Sequence, residues 1–141
     1  MEQSLLDTDI LSEILKAKNP LVVERARQYQ VEHEHLTISA ITLMEIVKGF
    51  HQVGRADALK KFLAHIQSSK VLAFDQLCAE TAGRIYGDLD RTGQTVGRAD
   101  PMIAAIAIQH KLTLATGNTE HYQRIQKLGY PLKLENWREA K

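Results

Sequence analysis

The sequence has little cysteine: among its 141 residues, Cys78 is the single one. One cysteine excludes a disulfide within the chain and a cysteine-rich zinc site, and this usage is typical of a reducing compartment. We therefore expect a cytoplasmic protein. Cys78 stands beside Leu77 and Ala79 in a stretch with helical character, so we expect it to be a small buried side chain and not a nucleophile.

Long apolar runs are also missing. No stretch reaches the roughly 20 apolar residues that a membrane-spanning helix requires. The first four residues contain no basic segment ahead of an apolar run, which a secretion signal would need. The sequence therefore predicts neither membrane insertion nor export.

Neither sign of charge is in excess. The 18 Lys and Arg residues balance 17 Asp and Glu residues, for a net charge of +1. Bulk charge therefore gives no argument for nucleic-acid binding, although one local basic face would suffice for it. With 44% hydrophobic and 25% charged residues, the composition is that of an ordinary globular protein. We expect one domain over residues 1–141, because a chain of this length buries about two-thirds of its surface.

What the sequence does contain is an alternation of short apolar runs with longer segments of helical periodicity. The apolar runs predict strands at residues 5–6, 36–38, 71–74, 112–116 and 130–134. The longer segments predict helices that begin after Asp7, at Pro20, at Ser39, at Arg55, after Asp75, at Asp100 and at Asn118. This alternation implies right-handed crossovers and an α/β fold with a mostly parallel sheet covered on both faces.

Four polar residues stand where a strand run ends or a helical run begins: Asp7, Glu45, Asp100 and Asn118. Ligands of parallel sheets gather at the carboxyl ends of the strands, so we expect Asp7 and Asn118 at that edge. Carboxylates that converge there raise one another's pKa or bind a hard cation such as Mg²⁺, which keeps waters for a substrate phosphate. These residues favour a metal-dependent phosphodiesterase.

Each of these residues also has a purely structural interpretation. Asp7, Asp100 and Asn118 are all placed to cap helices, with Thr8 as a further candidate cap of the first helix. Glu45 is the most informative, because it stands in mid-helix among apolar residues, where an unpaired buried charge is costly. A solvated helix face is the alternative for Glu45.

Other polar residues near these positions are interpreted as supporting groups. Asp9 is taken as a helix cap or a partner of the ligands rather than as a ligand. Glu120 and His121 follow Asn118 by two and three positions and are either exposed polar residues or substitutes for a missing acid. Lys48 and Arg98 are the cations we expect to contact phosphate, because they are close in sequence to the acids.

Four runs of the sequence, in this order, resemble a known family. They are residues 5–11 (LLDTDIL), 39–49 (SAITLMEIVKG), 98–105 (RADPMIAA) and 114–122 (LATGNTEHY). Together they are similar to PIN-domain ribonucleases and, more narrowly, to the VapC-type toxins of type II toxin–antitoxin modules. The resemblance extends over nearly the whole chain, and its specificity comes from four individually weak runs in the right order.

This resemblance implies a three-layer α/β/α sandwich with a central, mostly parallel sheet of four to five strands. It also implies that Asp7, Glu45 and Asp100 bind Mg²⁺ or Mn²⁺, and that Asn118 is the fourth catalytic position, which varies between Asp and Asn. Since an amide adds no negative charge, we expect one tightly bound ion and a second that arrives with the phosphate. The implied partners are an RNA substrate, a small cognate antitoxin and a second copy of the chain in a homodimer.

The leading hypothesis is therefore a Mg²⁺-dependent endoribonuclease that acts as a toxin. Its antitoxin would insert a helix into a groove and place a basic side chain among the acids. Two alternatives stay open. An aspartyl phosphotransferase would use Asp7 as the nucleophile with Asp9 as its helper, although Leu11 stands where such enzymes usually carry Thr. The other alternative is a non-catalytic RNA-binding or regulatory module, in which Asn118 marks a metal site that has decayed.

Overall fold

A five-stranded sheet forms the centre of the computed structural model, which describes residues 1–94 and 98–140. Each pair of neighbouring strands is parallel, and their order is β3-β2-β1-β4-β5. The strands are β1 (Ser4–Leu6), β2 (Thr37–Ser39), β3 (Lys70–Leu72), β4 (Thr113–Ala115) and β5 (Lys133–Glu135). The strand order reverses on either side of β1, so the carboxyl end of β1 is where such sheets place ligands.

Helices cover both faces of this sheet. Within the described residues they are α1 (Thr8–Lys16), α2 (Pro20–His33), α3 (Ala40–Gln52), α4 (Ala56–Ile66), α5 (Gln76–Arg91), α6 (Asp100–Gln109) and α7 (Thr119–Lys127). Successive strand residues point to opposite faces, so Leu5 joins the apolar cluster under α5 and α6, whereas Leu6 joins the cluster under α1 and α2. The predicted α/β/α sandwich is confirmed, and the sheet of the described chain is parallel throughout. None of the described helices is long and apolar enough to cross a bilayer.

All five strands begin at positions other than those predicted, four of them by one residue and β5 by three. β3 starts at Lys70, because the Lys70 amide donates to the Leu36 carbonyl (2.8 Å) and continues the pairing with β2. β5 starts three residues later than predicted, since Pro131 has no amide to donate and the Leu132 amide turns back to the Tyr130 carbonyl. The loop predicted at residues 92–97 lies partly outside the described residues, which omit 95–97.

The segment after β5 folds back onto the apolar cluster under α1 and α2. Trp137 is fully buried there, with its ring centroid 5.8 Å from that of Tyr29. The buried Arg25 donates from Nη1 to the Asn136 carbonyl at 2.7 Å. These contacts fix the position of the next residue, Arg138, beside the carboxyl ends of the central strands.

Candidate active site

Asp7 is the first residue after the central strand and lies almost completely buried, with 5% of its surface exposed. Its amide donates to the Ala115 carbonyl (2.9 Å) and so extends the pairing of β1 with β4. Its carboxylate accepts the Thr8 amide at Oδ1 (2.9 Å) and the Thr116 hydroxyl at Oδ2 (2.8 Å). Asp7 is thus the N-cap of α1, which confirms its structural interpretation, whereas the other two candidate caps, Thr8 and Asp9, do not cap this helix.

The surroundings of Asp7 oppose its ionisation. Burial raises the pKa of Asp7 from 3.8 to about 7, and the nearby Asp9 and Asp100 carboxylates raise it as well. The hydrogen bonds from Thr116 and Thr8 act in the opposite direction but do not offset the burial. A carboxylate in such a position becomes fully charged at neutral pH when a cation is bound beside it.

Asp100 shares the environment of Asp7 through Tyr122. Asp100 is the first residue of α6, and its Oδ1 accepts the Tyr122 hydroxyl at 3.2 Å. Burial raises the pKa of Tyr122 well above 10, and the charges of Asp7 and Asp100 raise it further. The Tyr122 hydroxyl therefore stays protonated and acts as a donor to the acids.

Asn118 lies beside Asp100 but is held by a histidine. Its side chain makes no capping bond to α7, and instead its Nδ2 lies 2.9 Å from His121 Nδ1. The same ring nitrogen lies 3.3 Å from Asp100 Oδ2. One nitrogen cannot both accept from the amide and donate to the carboxylate, so the tautomer of His121 decides which neighbour it holds.

Glu45 reaches the same edge from α3, where it is half-buried. Its Oε1 accepts the Thr8 hydroxyl at 2.6 Å, and the Thr42 hydroxyl lies 2.9 Å from that of Thr8. Because Thr8 also donates its amide to Asp7, Asp7 and Glu45 are both hydrogen-bonded to Thr8. Glu45 is therefore neither an unpaired buried charge nor remote from Asp7.

The side chains are not arranged as a complete metal cage. Among residues 1–94 and 98–140, no group of three or more His, Cys, Asp and Glu side chains is placed to hold a metal ion. The carboxylate of Glu45 is directed to Thr8, while Asp7 and Asp100 lie together with Tyr122. The buried Asp7 carboxylate, whose ionisation burial opposes, nevertheless fits a hard divalent cation, which is held by one or two carboxylates and several waters.

Three supporting residues were not found from the sequence: Thr8 as a bridge, Tyr122 as a donor and Arg138 as a neighbouring cation. Tyr122 had a usable signal, because an aromatic residue one turn after Asn118 returns to the face of α7 that carries the apolar Ile125. Arg138 had no such signal in the sequence, since it follows Asn118 by 20 positions in an irregular segment.

The two cations expected to contact phosphate, Lys48 and Arg98, are both exposed. Their role stays a prediction.

Comparison with known proteins identifies one family, and the similar proteins agree with it. A family model described as PIN domain matches residues 4–128, a range that includes all four predicted site residues. A protein of Shigella flexneri described as tRNA(fMet)-specific endonuclease VapC is 30% identical, over 97% of this chain and 99% of its own.

Solved structures of similar proteins have the same fold. A chain in the crystal structure of DNA-bound VapBC from Salmonella typhimurium is 29% identical and superposes with a TM-score of 0.80, covering 97% of this chain and 99% of the other. A chain in the crystal structure of FitAcB from Neisseria gonorrhoeae is 26% identical, with a TM-score of 0.78 and coverage of 97% and 99%.

Proposed function

Because this chain belongs to the PIN-domain family and, within it, to the VapC-type toxins, we propose that it is a Mg²⁺- or Mn²⁺-dependent endoribonuclease. It acts as the toxin of a type II toxin–antitoxin system. The observation that supports this most directly is Asp7, a buried carboxylate whose pKa is raised to about 7 in the company of Asp100. The relative described as a tRNA-specific endonuclease supports the reaction class and makes tRNA the first substrate to test.

In this proposal Asp7, Asp100 and Glu45 hold the divalent ion. A divalent ion held by these residues would make an attacking water more acidic and would neutralise charge on the reacting phosphate. The Thr116 hydroxyl and the Thr8 amide fix one oxygen each of the Asp7 carboxylate.

Two further residues complete the roles around the acids. Tyr122 keeps its proton and orients Asp100. Asn118 offers a neutral amide to a phosphate oxygen or a water.

The aspartyl phosphotransferase alternative is weakened by the contacts of Asp9. Its Oδ1 accepts the Ile10 amide at 2.7 Å, and its Oδ2 accepts the Gly117 amide at 2.9 Å. Arg138 Nη2 lies 3.4 Å from the same Oδ2. A helper acid in phosphoryl transfer must reach the leaving group or the nucleophile, whereas both oxygens of Asp9 are engaged with the fold.

The proposed activity is tested with purified protein and a tRNA(fMet) transcript. We expect endonucleolytic cleavage in Mg²⁺ or Mn²⁺ and no cleavage after EDTA, with activity restored when either metal is returned. Full activity in EDTA would contradict metal dependence. Binding of the RNA without cleavage in both metals would favour the non-catalytic module, and a trapped phosphoryl group on Asp7 would favour the phosphotransferase.

We also propose where the antitoxin binds. A groove of about 810 Å³ lies between α1, α3 and α4, and its apolar lining consists of Ile14, Leu15, Ile46, Phe50, Val53, Ala58 and Phe62. Thr8 and Glu45 line the same groove, so it is continuous with the acid site. A helix that packs its apolar face here can present a basic side chain to the acids. The similar crystal structures of DNA-bound VapBC and of FitAcB support a partner of this kind.

Blocking this groove should weaken antitoxin binding. Gly49 lines it, and nothing lies within 4 Å of a Cβ added at Gly49. A variant with a bulky side chain there should fold normally, and we expect Gly49→Trp to reduce affinity for the cognate antitoxin by about 100-fold or more. Calorimetric titration measures this. The matched control is Gly83→Trp, a helical glycine with equally open surroundings on α5; equal affinity of the two variants would contradict the location.

The homodimer and the cytoplasmic location stay predictions. Apolar side chains that are exposed in the single chain are consistent with a self-association surface, and they include Val31, Val53 and Leu77. Val53 also lines the groove, so we assign it to the antitoxin site and not to a contact with a second copy of the chain.

A further inference from the structure

The C-terminal segment places one cation against the ends of the central strands. Arg138 Nε donates to Glu13 Oε1 at 2.9 Å, and Nη2 lies 3.4 Å from Asp9 Oδ2. The guanidinium also covers Gly117, because a Cβ built on that glycine would lie 2.3 Å from Nη1. One side chain therefore contacts α1 at two acids and the turn between β4 and α7.

Asp9 extends this contact to the amide of the same turn. Its Oδ2, which faces Arg138, accepts the Gly117 amide at 2.9 Å, while Oδ1 accepts the Ile10 amide. The two residues that flank Gly117 belong to the active site. The Thr116 hydroxyl donates to Asp7, and the Asn118 amide donates back to Thr116 Oγ1 at 2.9 Å.

We propose that Arg138 is a positioning residue of the nuclease, which holds Asp9 on the Gly117 amide and so sets the β4–α7 turn that presents Thr116 and Asn118. This inference rests on the proposed function for its effect on cleavage. Arginine suits the position because its planar guanidinium lies flat over a residue without a Cβ and offers several donors in a fixed geometry. Its side chain is 38% exposed, and ion pairs at such sites add little to stability. The contribution of Arg138 is therefore to orient Asp9 and not to stabilise the fold.

Removing the guanidinium should impair turnover more than substrate binding. For Arg138→Gln we expect kcat to fall about 10- to 100-fold, because small misplacements of supporting groups have effects of this size. KM for RNA should change little, and the unfolding midpoint should stay close to that of the wild type. The backbone amide signal of Gly117 should shift in an ¹H–¹⁵N spectrum and exchange faster with solvent, as Asp9 loosens.

A second variant displaces Arg138 without removing it. Gly117→Ala adds the Cβ that collides with the guanidinium, while the backbone of Gly117 is outside the left-handed region and accepts alanine. We expect a loss of kcat similar to that of Arg138→Gln. The double variant should lose no more than either single one, because both changes break the same contact. Additive losses would overturn the proposal.

Two controls separate positioning from charge and from phosphate contact. Arg27→Gln removes an exposed arginine that is paired with Glu24 on α2, and it should leave cleavage unchanged. Arg138→Lys keeps the charge but not the planar group, so we expect only partial activity, and full rescue would overturn the proposal. A raised KM with unchanged kcat in Arg138→Gln would instead identify a contact with RNA phosphate. If the wild type cleaves no RNA, the proposed function fails, whereas the Gly117 amide signal still decides the role of Arg138.

Discussion

Replacing Asp7 with asparagine is expected to reduce metal-dependent cleavage by about a hundred- to a thousandfold or more, while making the metal-free protein more stable at pH 8. Loss of activity follows because the variant lacks the carboxylate nearest the sheet's switch point. The shape of the site is kept, since the amide oxygen still accepts the Thr8 amide and the Thr116 hydroxyl can accept a hydrogen bond as well as donate one.

The gain in stability follows from the raised pKa of Asp7. The folded chain holds this proton up to about pH 7, whereas the unfolded chain releases it near pH 3.8. Stability is therefore unaffected below pH 3.8, falls as the pH rises towards 7, and above that carries a cost on the order of 4 kcal/mol, since each pKa unit corresponds to about 1.4 kcal/mol. Asparagine has no charge to desolvate, so the variant avoids this loss.

Urea unfolding at pH 5 and pH 8 measures this effect. The metal-free wild type should be more stable at pH 5, and Asp7→Asn should respond much less to pH. Mn²⁺ should stabilise the wild type at pH 8 but not the variant. Asp88→Asn is the matched control: the Tyr130 and Arg91 hydrogen bonds lower the pKa of Asp88, so its removal should not stabilise the protein. An Asp7 variant that loses stability with pH as steeply as the wild type would contradict the argument.

The second large effect is expected from Glu45→Gln, which should lower cleavage by about 100-fold with little change in the free energy of unfolding. Glutamine retains an oxygen that accepts the Thr8 hydroxyl, so the hydrogen bond that orders this part of α3 persists. What disappears is one negative charge of the proposed metal site. Affinity for Mn²⁺, measured by electron paramagnetic resonance, should fall together with the activity.

Thr8→Val is the control for the Glu45 experiment. It removes the hydroxyl that joins Glu45 to Thr42 but keeps all carboxylates, so Mn²⁺ affinity should change less than in Glu45→Gln. If Glu45→Gln cleaves as fast as the wild type, Glu45 serves only to bind Thr8. The proposed site would then rest on Asp7 and Asp100 alone.

The sequence was sufficient to predict the features that depend on local pattern. Helical periodicity and the start signals Pro20 and Asp100–Pro101 placed all seven described helices, because both kinds of pattern are local. Asp7 and Asn118 were placed at one edge because the carboxyl ends of parallel strands coincide there. The burial of Cys78 was also predicted correctly.

The features that were missed depend on contacts between distant parts of the chain. Thr8, which also binds Asp7, reaches Glu45 across 37 positions, and nothing in the local sequence indicates which hydroxyl a mid-helix glutamate will face. Arg138 reaches Glu13 across 125 positions. The starts of β3 and β5 were displaced because strand pairing, and not apolar character, determined where they begin.

The burial of Trp137 also has a consequence for synthesis on the ribosome. β1 lies at the centre of the sheet, yet its neighbour β4 and the anchoring tryptophan follow it by more than 100 residues. A nascent chain that stops short of β4 therefore has neither Thr116 nor Arg138 to place beside Asp7. Under the proposed function, this site can be completed only after Arg138 has been synthesised.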